Sequence, residues 1–414
     1  MTAAGRRVVV TGLGVVCATG GDVDAFWRAA VDGRPAIERR TISAGDGLDV
    51  TVPMAAIDGA ARAAVNAASA DFPPALKRAD PFSRYAAVAA DEAVRNAGFA
   101  DALARDGSLA ARTATIIGSG IGGQLAMDEA YVGILRKGRR AHPLTILKTI
   151  PNAAASQVSI RYGLQGPAFA ISSACASGAH AIGVAGDLIR SGGADAAIAG
   201  ASEMVLTFGA LEAWKAMHIL ADETCRPFSK NRNGLVIGEG AGVLMLEERE
   251  RARRRGAPIL AELVGFGMNA DGSDMINPAV EGAAGALSLA LDGLRVDAAA
   301  TYVNAHGTGT LLNDPTETQA IRKVFGADAD KLAVSSTKSM HGHLLGAAGG
   351  VEAAIAIRAL TESVAPPTAN YDEPDPACDL DVTPNDARER AFDTAISNSF
   401  AFGGLNAVLA FAKA

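Results

Sequence analysis

The chain has 414 residues, 49% of them hydrophobic and 46 of them glycine, with a formal net charge of −7. This suits one large globular unit of two intimate halves with close helix-on-sheet packing, and no Pro-rich, Ser-rich or charged linker divides it. The acidic balance argues against general nucleic-acid affinity, no stretch approaches the roughly 18 uninterrupted apolar residues of a membrane span, and the Gly-broken N-terminal run does not suit a signal peptide, so a cytoplasmic protein is expected.

Arg7 to Val16 reads as a buried strand turning at glycines, with a helix starting at Asp22. Its Gly-x-Gly lacks the third glycine of a dinucleotide fingerprint. Residues 35 to 75 resist placement. Phe82 to Ala97 has helical spacing at Tyr85, Val88, Ala89 and Val94, and a short strand Thr115 to Gly118 runs into the turn Gly118 to Gly123. Strands at Phe169 to Ser172 and Asp195 to Gly200 bracket a small-residue helix and make a βαβ unit, which implies a parallel sheet covered on both faces. Leu235 to Glu247 is a further strand, and Glu248 to Arg255 reads as a solvated helix with cations near its C-terminus.

The halves are expected to meet there, at 1–256 and 257–414. From Ile259 the pattern starts again, with a strand to Gly267, a helix around Gly282 to Leu294, a strand Thr301 to Ala305 and a helix Pro315 to Phe325. A strand Leu332 to Ser335, a helix Gly346 to Leu360 and strands near Ala395 to Ser399 and Ala407 to Phe411 complete it. No residue-level repeat relates the halves.

Four cysteines, Cys17, Cys175, Cys225 and Cys378, lie far apart without Cys-x-x-Cys spacing, which indicates neither a disulfide framework nor a zinc site. Cys175 sits in Ser172-Ser173-Ala174-Cys175-Ala176-Ser177-Gly178, between a strand and a helix. The free N–H groups of a helix N-terminus stabilise a thiolate and can hold a developing oxyanion. Of six histidines, His306 lies in Asn304-Ala305-His306-Gly307-Thr308-Gly309-Thr310, after a strand. His343 lies in the loop Ser336 to Leu345 that leads into a helix. No metal-ligand spacing joins them. One Cys and two His on strand-end loops suit acyl transfer with carbon–carbon bond formation, the thiolate holding an acyl group and two N–H donors polarising a second thioester carbonyl. Lys338 sets the field near His343 and Glu352 neutralises it. At the C-terminus, Phe402-Gly403-Gly404 ends a strand in a flexible pair that allows a backbone N–H to face a site, with Phe402 placed to swing as a gate.

With these segments laid out, the chain resembles the beta-ketoacyl-acyl carrier protein synthases, nearest to the elongating synthase II type of the thiolase superfamily. The collinear matches are Ser173 to Gly178, Asn304 to Thr310, Thr337 to Gly349, Arg226-Pro227-Phe228 and Gly238 to Gly242, and the likeness runs over nearly the whole chain. The resemblance implies an α/β, thiolase-like five-layered αβαβα fold of two similar halves, usually a homodimer and in some systems a heterodimer with a synthase-like subunit. It implies a ping-pong reaction in which Cys175 takes an acyl group from acyl carrier protein. Malonyl-carrier protein then loses carbon dioxide and its carbanion attacks the acyl-enzyme. No cofactor of the protein's own is expected, the substrates riding on the carrier's 4'-phosphopantetheine.

By the same resemblance His306 and His343 hold the malonyl carbonyl, and Lys338 and Glu352 are the supporting charged pair. The amides of Cys175 and Phe402 form the oxyanion hole, and Phe402 gates the pocket with Gly403 and Gly404. Thr308 and Thr310 contact the phosphopantetheine arm, and Ile121 lines the acyl pocket. Because carrier protein is acidic, docking calls for a local cationic face, for which Lys77, Arg78, Arg84, Arg136, Lys137, Arg139 and Arg140 are the candidates.

The chain departs from the family at Ala401 and Leu405 beside the gate, at Asp274 where His is common, at Ser229 and Asn233 where aspartates are frequent, and at His218 in the place of an Arg. None of these touches the Cys-His-His set, and together they suggest specialised polyene, polyketide or modified fatty-acid assembly. A thiolase would need a second catalytic Cys, and Cys378 lies in a polar, Pro-rich stretch. A non-catalytic chain-length subunit would generally lack Cys175.

Overall fold

The computed structural model describes residues 5–414. Strand β1 (Val8–Cys17) is buried along its whole length, which is why it reads as a continuous apolar run and not as an alternation. Its glycines answer to packing. A Cβ on Gly12 would lie 2.1 Å from the Ala93 carbonyl oxygen and one on Gly14 1.9 Å from that of Ala89, so the helix α1 (Pro81–Asn96) rests directly on the strand backbone. Asp80 caps α1, and Tyr85, Val88, Ala89 and Val94 are buried as the spacing predicts.

The remaining sheet strands are β2 (Thr113–Gly118), β3 (Ala168–Phe169), β4 (Ala196–Glu203), β5 (Gly240–Glu248), β6 (Ala261–Ala270), β7 (Thr301–Asn304), β8 (Ala333–Ser335), β9 (Thr394–Ala401) and β10 (Leu405–Ala412). Their spatial order is β3-β2-β4-β5-β1-β6-β10-β9-β7-β8. Read from its outer edge, each run of five places its strands in the same order along the chain: third, second, fourth, fifth, first. The first three neighbours pair in parallel and the last two pairings are antiparallel in both runs. Among the described residues, the runs join edge to edge only through Val9 with Glu262 and Val10 with Ala261.

Helices α2 (Gln124–Leu135), α3 (Ala153–Tyr162), α4 (Ser177–Arg190), α5 (Phe208–Ala216), α6 (Val280–Leu291), α7 (Asn313–Phe325) and α8 (Ala348–Glu362) complete the frame. Helices α4 and α8 pack against each other and against strands of both runs, forming the middle layer. Helices α1 and α3 cover the outer face of the first run, and α6 and α7 that of the second. This is the five-layered αβαβα arrangement. Small residues make the middle layer possible: a Cβ on Gly350 of α8 would sit 2.3 Å from the carbonyl oxygen of Gly242 on β5.

Several local expectations change. The strand expected over Phe169–Ser172 pairs only at Ala168–Phe169, because it is the sheet edge and the chain turns away toward Cys175. Part of Leu235–Glu247 leaves the large sheet, since Ile237–Gly238 pairs with Asp49–Ala55, itself paired with Glu38–Ser43. That small sheet and the helix Gly59–Ala68 occupy the segment the sequence left unplaced. The charged helix spans Arg249–Arg254 and is less solvated than expected. The Arg255 Nε donates to the buried Glu247 at 2.7 Å and its guanidinium also donates to the Ala97 carbonyl at 2.8 Å.

Candidate active site

Ala174 adopts φ +48, a strained turn that lifts Cys175 to the threshold of α4. The turn is fastened by Ser177, whose hydroxyl donates to the Ala174 carbonyl at 2.6 Å and accepts from the Ser173 N–H at 2.9 Å. Cys175 faces a cavity of about 260 Å³ that also exposes His306, His343, Thr308, Thr310 and Phe402. The sulfur and both imidazoles, far apart in sequence, therefore border one space. All four cysteines are free and buried.

The two histidine rings stand edge to face, 5.3 Å between centroids and 84° between planes. Leu345 N–H points at His343 Nδ1 at 3.3 Å, and the Lys338 ammonium lies 3.4 Å from His306 Nδ1. A nitrogen facing a donor is an acceptor, so each ring carries its proton on Nε2. Burial, with the Lys338 charge second, holds both imidazoles well below their usual pKa and therefore neutral. The other histidine of the loop, His341, is engaged at both nitrogens, by the Gly342 carbonyl and the Thr337 hydroxyl.

Lys338 and Glu352 form an ion pair whose side chains are both fully buried. Near Cys175 the electrostatics differ from the sequence expectation. Burial pushes the thiol up to about 12, outweighing the Lys338 charge that opposes it, so the group rests as a thiol and not as a stabilised thiolate.

Four carboxyl and amide groups that the sequence reading passed over hold the loops. Glu317 of α7 accepts from the N–H groups of His306 at 2.8 Å and Gly307 at 2.7 Å and from the Asn398 side chain at 3.0 Å. Asp314 accepts from Gly309 N–H at 3.2 Å and Phe228 N–H at 2.8 Å. Glu203, at the end of β4, accepts from Ser119 at 3.0 Å, Gly120 at 2.5 Å and Gly346 at 3.1 Å, tying the glycine-rich turn to the segment after His343. Acids in the first turns of the helix behind Gly307-Thr308-Gly309-Thr310 were the available clue to Asp314 and Glu317.

Thr308 and Thr310 hydrogen-bond each other through their hydroxyls at 2.9 Å in the cavity wall. Gly404 lines the same wall, and Gly403 beside it is exposed. Ile121 is 42% exposed and does not line this cavity. Lys77, Arg78, Arg136, Lys137, Arg139 and Arg140 are exposed and Arg84 is half-buried, none of them in the cavity wall. Arg136 pairs with Asp46 at 3.1 Å. Among the departures, Asp274 accepts from Ile276 and Asn277 N–H, both at 2.7 Å, and so shapes the cavity rim, while His218 lines the cavity at φ +55.

A five-layered α/β fold with a thiol and two neutral imidazoles in one cavity defines a condensing acyltransferase. Residues 5–252 match the family model of the beta-ketoacyl synthase N-terminal domain and residues 260–372 that of its C-terminal domain, and the chain belongs to the beta-ketoacyl synthase family. It is 47% identical to Nodulation protein E of a Rhizobium species, covering 98% of this chain and 99% of the relative. To 3-oxoacyl-[acyl-carrier-protein] synthase 2 of Coxiella burnetii it is 40% identical, covering 99% of each. The solved structure of the ishigamide ketosynthase/chain length factor superposes with a TM-score of 0.88 at 31% identity, covering 99% of this chain and 100% of the other. No described helix is long and apolar enough to cross a membrane.

Proposed function

We propose that the chain is a 3-oxoacyl-carrier protein synthase whose chemistry is divided between Cys175 and the pair His306 and His343. The Cys175 sulfur attacks the carbonyl of an acyl-carrier thioester, and as the carbon–sulfur bond to the carrier breaks the thiol proton is passed to the departing carrier sulfur. The amides of Cys175 and Phe402 hold the oxyanion of the tetrahedral intermediate. A malonyl thioester then enters with its carbonyl oxygen against the two Nε2–H groups. Loss of carbon dioxide leaves an enolate, which those donors stabilise without protonating its carbon. The enolate carbon attacks the acyl-enzyme, the C–S bond breaks, and the released thiolate takes a proton, giving a 3-oxoacyl-carrier thioester two carbons longer.

The observation that carries this reading is the sharing of one cavity by Cys175, His306 and His343, with a donor facing Nδ1 of each ring. Lys338 with Glu352 fixes the tautomer of His306, and Thr308 with Thr310 receives the phosphopantetheine arm. Acyl carrier protein is the substrate carrier and, with no cofactor of the protein's own, supplies the thioester. A solved relative is a ketosynthase bound to its acyl-carrier protein, and others pair a ketosynthase with a chain length factor, which supports a dimeric assembly here. The halves 1–256 and 257–414 would contribute the nucleophile and the imidazoles respectively. Ile121 would set chain length from outside the described cavity, the exposed basic residues would dock the carrier, and the compartment would be the cytoplasm.

Incubation with acyl- and malonyl-carrier proteins should release carbon dioxide and give the two-carbon-extended product, and Cys175→Ala should form no acyl-enzyme. Normal acylation of that variant by intact-mass measurement would refute the assignment. The presence of Cys175 weighs against a non-catalytic chain-length subunit.

A further inference from the structure

Phe402 stands at the tip of the β9–β10 hairpin. Ala401 pairs with Leu405, leaving Phe402, Gly403 and Gly404 as the turn, with φ of +82 and +67 at the two glycines. One side of the tip is anchored by the Gly403 N–H to the Met275 carbonyl and by the Asp271 N–H to the Gly404 carbonyl, both at 2.8 Å. The Phe402 ring is held separately. It lies on the indole of Trp214, with ring centroids 6.2 Å apart and planes inclined by 28°, inside the separation range of aromatic pairs.

Trp214 belongs to α5, in the other half of the sequence from the hairpin, and both rings border the cavity that holds Cys175. Helix α5 fully buries only Leu211, and Trp214 itself is half-buried. The indole packs against the edge of the core and keeps part of its surface free. Its main aromatic contact is the ring at the movable tip.

We propose that Trp214 is the latch of the Phe402 gate: the indole holds the ring in its shut position, and opening the acyl pocket requires that stack to break. The proposal rests on reading Phe402 as the gate, and deepens it by naming the residue that sets how often the gate opens. Positive-φ glycines supply freedom at the hinge, the Met275 and Asp271 contacts hold its backbone, and the stack controls the side chain. Breaking a stack is a smaller cost than unpairing the hairpin, so the ring moves before the strands do.

The rate of Cys175 alkylation by iodoacetamide, followed by intact mass, reads gate opening. Trp214→Leu should raise it about two- to twelve-fold, the range that an aromatic pair commands, and Trp214→Phe, which keeps a ring against a ring, should give a smaller rise. Phe402→Ala should raise it too, and the double variant should be no faster than Phe402→Ala alone. An unchanged or slower rate in Trp214→Leu beside a faster one in Phe402→Ala overturns the latch. So do additive effects in the double variant. An unchanged rate in Phe402→Ala brings down the gate reading itself, and the latch with it.

The chain has only two tryptophans, so Trp27→Phe leaves Trp214 as the sole indole without disturbing the stack. Emission of that protein should shift when Cys175 is acylated from an acyl-carrier thioester, and the shift should vanish when Phe402→Ala is added. A static emission at complete acylation contradicts the proposal.

Discussion

At the scale of single residues, the resting charge of each group follows from burial more than from local sequence. The N-terminus of α4 favours a thiolate, yet removing Cys175 from water opposes it more strongly and pushes the thiol up to about 12. The alkylation rate of Cys175 should therefore keep climbing, about tenfold per pH unit, from pH 7 through pH 9, because the thiolate fraction is still small there. A plateau below pH 9 would show that the helix and Lys338 dominate after all. The imidazoles behave in the same way. Desolvation and the Lys338 ammonium keep His306 neutral, which is the form that donates from Nε2 while accepting at Nδ1.

At the scale of elements, the proposed chemistry falls on strand-end loops, and helix-borne acids hold those loops. The His306 loop owes its backbone position to Glu317 on α7, which accepts three hydrogen bonds in full burial. Glu317→Ala would leave buried N–H groups without partners and should cost about 3 kcal/mol of stability, read as a lower urea midpoint. Condensation should fall about tenfold or more while acylation of Cys175 is largely kept, because His306 and not the nucleophile loses its position. Equal loss of both half-reactions would contradict that division.

The residues proposed to react were legible in the sequence because each sits in a short run of small and polar residues directly after an apolar stretch. Cys175, His306 and His343 could be placed on this ground without coordinates. Glu317, Asp314 and Glu203 could not. Glu203 receives Gly120 from 83 positions away and Gly346 from 143 positions away, and no local pattern marks such a contact. The Trp214–Phe402 stack escaped for the same reason. The segment 38–55 was unreadable because its first strand, Glu38–Ser43, is an exposed hairpin arm with little apolar alternation.

At the scale of the whole molecule, the two five-strand runs enclose a middle layer of α4 and α8, and the titrating groups buried between the layers set how stability responds to pH. Burial raises Glu203 and Glu92 to about 7, so the folded state prefers their protonated forms; their contribution is full below about 4.5 and is lost as pH rises through 7. His306 and His343 act oppositely. Their folded-state pKa is depressed, so their contribution is present above the usual 6.5 and is lost as pH falls below it. On these four groups the urea midpoint should stay near level between about pH 4.5 and 6.5, fall as the pH drops below 4.5 and fall again as it rises through 7. A midpoint still rising at pH 9 would contradict this balance.

The most direct test separates the two halves of the reaction in the imidazole variants. In His306→Ala and His343→Ala, intact-mass measurement should show Cys175 acylated by an acyl-carrier thioester. Addition of malonyl-carrier protein should then release carbon dioxide at least about a hundredfold more slowly than in the wild type, the scale of a lost oxyanion donor. Carbon dioxide release at the wild-type rate in either variant would mean that the imidazole does not hold the malonyl carbonyl, and the convergence of one thiol and two neutral histidines would no longer explain the chemistry.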